Sequence, residues 1–241
     1  KEQPMNGTTG SMWWGGSPAA AHQDGHADRF SFMQMGKTFE EARSKPGEIL
    51  TLATCEGAVG MLPVYDKLFG AGMISKILKD DLSGTADKVR HRFLEQPAVN
   101  ETIRTMVEAE IAHKGPDAIL EDKKSGTRST LWLKRALDFV CTFLELLLLK
   151  PDHSSKKCAQ ETYTRVLEPY HGFWARNICS MAMGLVPSRE ELLKRFGYRS
   201  LEEATREVNA LLCQLRPVVN EIDGILTLHL PPHLVDAEKS P

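Results

Sequence analysis

The chain is defined first by what it does not contain. It has no stretch of ~20 apolar residues, because its Leu-rich segment is broken by Lys134, Arg135, Asp138 and Glu145. No membrane-crossing helix is therefore expected. Its five cysteines are scattered, with no Cys-x-x-Cys pair and no Cys/His cluster at zinc spacing. Such a set reads as reduced thiols in a cytoplasmic protein without a metal site. The hydrolase elbow, phosphate-binding loop, zinc-helix and dinucleotide fingerprints are all missing, which weakens the case for an enzyme without removing it and points to no cofactor. No segment shows strand alternation and no repeat occurs. Lys and Arg number 30 against 32 Asp and Glu, so the charge balance offers no case for a nucleic-acid partner. No signal-peptide pattern opens the chain, and Lys1 suggests a trimmed or incomplete start. Without a secretory signal, the sequons at Asn6 and Asn100 read as chance.

What is present is helical periodicity. The segment from Arg128 to Leu149 contains no Gly or Pro and is followed by Pro151, which predicts a long helix with a sharp stop. Leu133, Leu137, Val140, Leu144 and Leu147 recur at helical steps and predict a buried stripe. Trp132, Arg135 and Phe139 lie on a neighbouring face. The plain reading puts Trp132 in the core, with Lys134 and Arg135 reaching solvent. The alternative makes the indole a platform for a ligand.

Residues 1–36 are rich in Gly, Ser, His and small side chains, and read as a disordered arm. Met12-Trp13-Trp14 is its apolar spot, suited either to a membrane interface or to no role. Phe39 to Ser44 is a candidate short helix. A longer one starts at Glu48 and should kink or split at Pro63. Helices are expected over Gly72–Phe93 and Val99–Lys114, then a solvated loop from Gly115 to Gly126. After the central helix another begins at Ser154 or Ser155 and resumes beyond Pro169 up to Pro187. Ser188-Arg-Glu-Glu191 and Ser200-Leu-Glu-Glu203 each read as a capping box, the second opening a helix to Leu228 that Pro217 should bend. The result is one all-α domain over residues 48–228, with a C-terminal tail at 229–241.

Three clusters carry chemistry. Asp81, Thr85 and Lys88 fall at i, i+4 and i+7, on one helix face. They form either an ordinary solvated face with an Asp-to-Lys pair or a donor and acceptor cluster suited to hydroxyls. Gly84 among them costs about 1 kcal/mol relative to Ala and suggests close packing or room beside it. Tyr170-His-Gly-Phe-Trp174 sets a His among aromatics, either as a satisfied core residue or as a donor to a buried carbonyl.

In order, Asp-x-Ser-Gly-x-x-x-Lys, Leu131-Trp-Leu-Lys-Arg-Ala-Leu137 and Tyr-His-Gly-aromatic resemble the glycolipid transfer protein family over residues 48–228. The resemblance implies a two-layer helical sandwich enclosing a lipid, and non-enzymatic movement of glycosphingolipids between membranes. It implies that Asp81 accepts from sugar hydroxyls and the ceramide amide, that Lys88 binds sugar hydroxyls, and that Trp132 stacks on the sugar. It assigns His171 to the acyl carbonyl. Thr85 stands where the family usually has Asn, so one hydroxyl replaces an amide. Phe173 and Trp174 are the expected membrane-contact rings. The implied protein is a cytoplasmic monomer, peripheral to membranes. Two rivals remain open. One is a phosphosphingolipid carrier of the ceramide-1-phosphate type, its phosphate held by Lys88, Arg90, Arg128 and Arg135. The other is a lipid sensor or helical adaptor.

Overall fold

The computed structural model describes residues 30–43, 47–232 and 235. Met12-Trp13-Trp14 and Asn6 lie outside them. The architecture is an all-helical two-layer sandwich; an isolated backbone bridge joins Leu50 to Thr102, but no strand forms among the described residues.

Helix α1 spans Phe32–Ala42. It begins inside the segment read as a disordered arm, because Phe32, Met35 and Phe39 have a buried face to fill. Glu207, from the far end of the chain, accepts from the Ser31 hydroxyl and the Met33 amide and so caps this helix. Helices α2 (Thr51–Gly60) and α3 (Leu62–Phe69) meet at Pro63, which occupies the first turn of α3 rather than kinking one long rod. Helix α4 runs Met73–Glu95 and α5 runs Ile103–Lys114, the latter opened by a Thr102–Thr105 capping box. The expected solvated loop contains a short helix, α6 (Pro116–Glu121). Its Ile119 is fully buried, which periodicity over so few residues could not reveal. Asn100 is also buried, its amide donating to the Arg92 carbonyl. Gly84 has open space beside it, so close packing is not its reason for being Gly.

The central helix α7 covers Gly126–Leu149. It is followed by α8 (Ser155–Val166), a 3₁₀ turn at Glu168–Tyr170, α9 (Phe173–Leu185) and α10 (Arg189–Phe196). Helix α11 (Leu201–His229) passes through Pro217 without ending. Ser188 and Ser200 accept from the amides of Glu191 and Glu203, the forward bond of each expected cap.

Both ends of α7 are held by charges from elsewhere. At its N-terminus the buried Glu110 of α5 accepts from the Ser125 hydroxyl at 3.0 Å and the amides of Gly126 and Thr127 at 3.1 and 2.7 Å. Arg92 of α4 pairs with the same carboxylate at 3.1 Å. At the C-terminus Arg189 donates to the carbonyls of Leu147, Lys150 and His153. Anion at the start and cation at the end is what the helix dipole favours. Midway, Arg216 of α11 forks onto Glu145 at 2.7 Å on both nitrogens and also reaches Asp138. Gly126 is needed where it stands, since an added Cβ would lie 2.7 Å from Arg92 and 2.9 Å from Met106.

Removing one partner of a buried charged network typically costs about 3–5 kcal/mol. Glu110→Ala should therefore lower unfolding stability by that amount in a urea melt, and Glu110→Gln by less, since the amide oxygen still accepts.

Candidate functional site

Buried Leu82, Ala86 and Val89 press α4 onto α7, so its next face, with Asp81, Thr85 and Lys88, looks into a cleft. The cleft has a volume of about 320 Å³. From α7 it receives Ser129, Trp132, Ala136 and Phe139, and from the 3₁₀ turn and α9 it receives His171, Ala175, Ile178 and Cys179. Every ligand residue expected from the sequence (Asp81, Thr85, Lys88, Trp132 and His171) lines it. Asp81 and Lys88 are exposed at the cleft and form no direct ion pair among the described residues. Phe173 and Trp174 do not line the cleft. They are 73% and 74% exposed at the start of α9, ring edge against ring face.

The Asp81 carboxyl opens onto the cleft, yet the walls strip away enough water to raise its pKa above the ordinary 3.8, and nearby Lys88 only partly offsets this. It has no hydrogen-bond partner among the described residues, so it is an acceptor held ready at a cost. Burial first, then Asp81, keeps the Tyr65 hydroxyl on the facing wall protonated and available as a donor.

His171 is neutral. Burial, then the charges of Arg135 and Arg176, depress its pKa to about 4. Its Nδ1 sits 3.3 Å from the Tyr163 hydroxyl and 3.6 Å from Cys179 Sγ. Burial foremost raises the pKa of both of those groups, Cys179 to about 12, so both keep their protons. Either group can donate to Nδ1, and in that tautomer the neutral ring carries its hydrogen on Nε2. This arrangement was not legible in the sequence: Tyr163 and Cys179 stand eight residues either side of the His.

Trp132 is half-buried and lies nearly parallel to the His171 ring, with centroids 6.0 Å apart. The expectation that Arg135 reaches solvent is overturned: it is 2% exposed. Its guanidinium is sandwiched 4.6 Å from the indole and 3.5 Å from the Tyr170 ring, and donates to the Val235 carbonyl at 2.7 Å. Lys134 pairs with Asp223 of α11 instead of facing water. Arg135 lies outside the cleft lining and holds the indole from behind, a contact worth about 0.5–2 kcal/mol depending on desolvation. Of the four cations in the phosphate-carrier reading, Lys88 and Arg128 line the cleft while Arg90 and Arg135 do not. Lys123, in the turn before α7, was missed; it too lines the cleft. Phe139 also borders a second, almost wholly apolar cavity of about 90 Å³ between α7, α10 and α11. No metal-binding cluster occurs among the described residues, and no helix is long and apolar enough to cross a membrane.

Residues 49–198 match the family model described as glycolipid transfer protein. The chain is 32% identical over 154 residues to glycolipid transfer protein 1 of Arabidopsis thaliana, spanning 64% of this chain and 73% of that protein. It is 26% identical over 195 residues to the glycolipid transfer protein of Aureobasidium melanogenum, spanning 81% and 92%. Among solved structures, human ceramide-1-phosphate transfer protein in complex with 2:0 ceramide-1-phosphate aligns with a TM-score of 0.75 at 21% identity, over 87% of this chain and 99% of that one. The fungal glycolipid transfer protein HET-C2 gives 0.65 at 23%, over 83% and 94%. At those identities the solved structures establish the fold.

The Asp81 carboxyl allows a signed test. Its folded pKa lies above its unfolded value, so folding favours the protonated form, and stability falls as pH rises between the two values and stays lowered above them. Asp81→Asn should therefore raise the ligand-free melting temperature at pH 7 and have no such effect at a pH below 3.8, as read by calorimetry across pH.

Proposed function

Because the chain belongs to the glycolipid transfer protein family, we propose that it binds a glycosphingolipid and carries it between membranes, with no bond made or broken. The observation that carries this is the convergence of Asp81, Thr85, Lys88, Trp132 and His171, from three separate parts of the fold, on one cleft with an apolar interior. A hexose has an apolar C–H face and a rim of hydroxyls. Trp132 offers the platform for the face, and Asp81, Lys88 and Thr85 offer acceptors and donors for the rim. The ceramide amide would lose about 1–3 kcal/mol if buried unpaired. In this reading Asp81 accepts from its N–H and the His171 Nε2–H donates to its carbonyl. The chains lie beyond, each buried methylene contributing about 0.8 kcal/mol. Phe139, shared by the cleft and the second apolar cavity, is the partition past which a chain would extend.

Phe173 and Trp174 are the proposed membrane contact. Met73 on α4 and Met181 on α9 are also exposed, at 78% and 61%. Trp favours the interfacial zone of a bilayer. The protein acts in this reading as a cytoplasmic monomer that docks transiently. A helical adaptor would need no cleft, which counts against that alternative. A phosphosphingolipid ligand is supported by Lys88 and Arg128, but the indole platform gains little from a phosphate.

Asp81→Val should reduce glycolipid transfer between vesicles by roughly tenfold or more, because one acceptor serves both headgroup and amide. Normal transfer by a folded Asp81→Val protein would mean that the cleft is not the carrier site. Trp132→Ala should likewise lower glycolipid transfer. A melt must accompany it, since deleting a buried Trp can cost about 3–5 kcal/mol. The discriminating outcome is a folded Trp132→Ala that still transfers, alongside a Lys88→Ala that does not. That pattern would assign the ligand to the phosphate class. In a flotation assay, Phe173→Ala/Trp174→Ala should weaken association with phosphatidylcholine vesicles while leaving the melting temperature within about 1 °C, because both rings are exposed.

A further inference from the structure

We infer that the Tyr65 hydroxyl is a further ligand contact, one that selects a ceramide bearing a hydroxyl beside its amide group. The inference rests on the glycolipid reading above and specifies the lipid backbone that the cleft takes. That hydroxyl sits either at the 3-position of the sphingoid base or at the 2-position of the acyl chain, and both offer the same donor and acceptor chemistry.

Tyr65 lies on α3, the helix that walls both cavities. Val64 and Leu68 face the second, apolar cavity, while Tyr65 and Phe69 face the cleft. The two rings pack together, tilted at 55° with centroids 6.0 Å apart. The next two residues fix the helix in place. Asp66 accepts from the Ser75 hydroxyl and the Lys79 ammonium of α4, each at 2.7 Å, and Lys67 donates to the Arg195 carbonyl of α10 at 2.5 Å. The place of the Tyr65 ring is therefore set by the fold.

The hydroxyl itself has no hydrogen-bond partner among the described residues. Phe69, Leu78, Leu82 and Ile178, which line the same cleft, have no polar side-chain group to give it. It keeps its proton, because burial foremost and then the nearby Asp81 carboxylate hold its pKa well above the ordinary 10.0. Cys179 of α9 is also close enough to add to that shift. Cys179 Sγ in turn lies 3.6 Å from Nδ1 of His171. Asp81 and His171 are the groups that hold the two ends of the ceramide amide in the glycolipid reading, so a hydroxyl one or two bonds from that amide is the ligand group placed to meet Tyr65. A bound lipid displaces water from this wall, and a phenol then left unpaired weakens binding where a Phe would not. Packing on Phe69 needs only the ring; the oxygen is what a ligand hydroxyl can use.

The test uses three galactosylceramides of one acyl length in phosphatidylcholine vesicles: the ordinary lipid, its 3-deoxy form and its 2-hydroxyacyl form. Each is offered to the full chain as wild type and as Tyr65→Phe, and binding is followed by Trp fluorescence. The substitution removes the oxygen and keeps the ring. Two affinity ratios are read, ordinary over 3-deoxy and 2-hydroxyacyl over ordinary. We expect one of them to be about tenfold in the wild type and to fall to about one in Tyr65→Phe. The ratio that falls names the hydroxyl that Tyr65 meets. Each ratio is internal to one protein, so a general change of stability does not imitate the result. If the substitution leaves both ratios unchanged, the Tyr65 contact is overturned and the glycolipid reading stands, since galactosylceramide still binds. Failure of the wild type to bind any of the three lipids overturns both.

Discussion

Everything in this fold is referred to one helix that is electrostatically satisfied at both ends. The orphan amides at the start of α7 are met by a buried carboxylate from α5, itself tied to Arg92 of α4, and its last carbonyls by a guanidinium from α10. These contacts span up to 42 residues in sequence and tie α4, α5 and α10 to α7. An error in the position of α7 would move Trp132 relative to Asp81, and the arrangement leaves little freedom for one. Burial of its apolar stripe supplies most of the attraction, at about 25 cal/mol per Å² of area removed from water. The charged ends contribute less energy, but they fix where along its axis the helix comes to rest.

The cleft shows the opposite economy. Asp81 is kept unpaired and partly desolvated, His171 is kept neutral, and Lys88 and Lys123 stand without ion-pair partners among the described residues. The desolvation of Asp81 is the part of this that costs the ligand-free protein stability. His171 is neutral for a related reason: a charged imidazole would be buried and would meet Arg135 and Arg176, whereas the neutral ring contacts the Tyr163 hydroxyl through Nδ1.

Much of this was legible before the fold was seen. The 3.6-residue period exposed the central helix and its stripe, the Ser caps located α10 and α11, and the i, i+4, i+7 spacing put Asp81, Thr85 and Lys88 on one face. These are local properties, set by backbone geometry within a few turns. The failures were non-local. Residues 32–36 looked structureless because their few apolar side chains find a partner only in α2, α10 and α11. Helix α6 was too short for its period to register, and Arg135 looked like a solvent-facing cation.

The sequence by itself determined that the chain is all-helical, which faces of its long helices are apolar, and which polar residues are out of place on them. Only the tertiary structure decided that those residues share a cleft, that Arg135 is locked behind the indole while Lys123 and Arg128 are not, and that Tyr163 and Cys179 both meet Nδ1 of His171. The physical reason is range. Periodicity and capping act over three or four residues, whereas a guanidinium between two rings or a shared cavity wall depends on how separate helices pack, and that is fixed by the whole core at once.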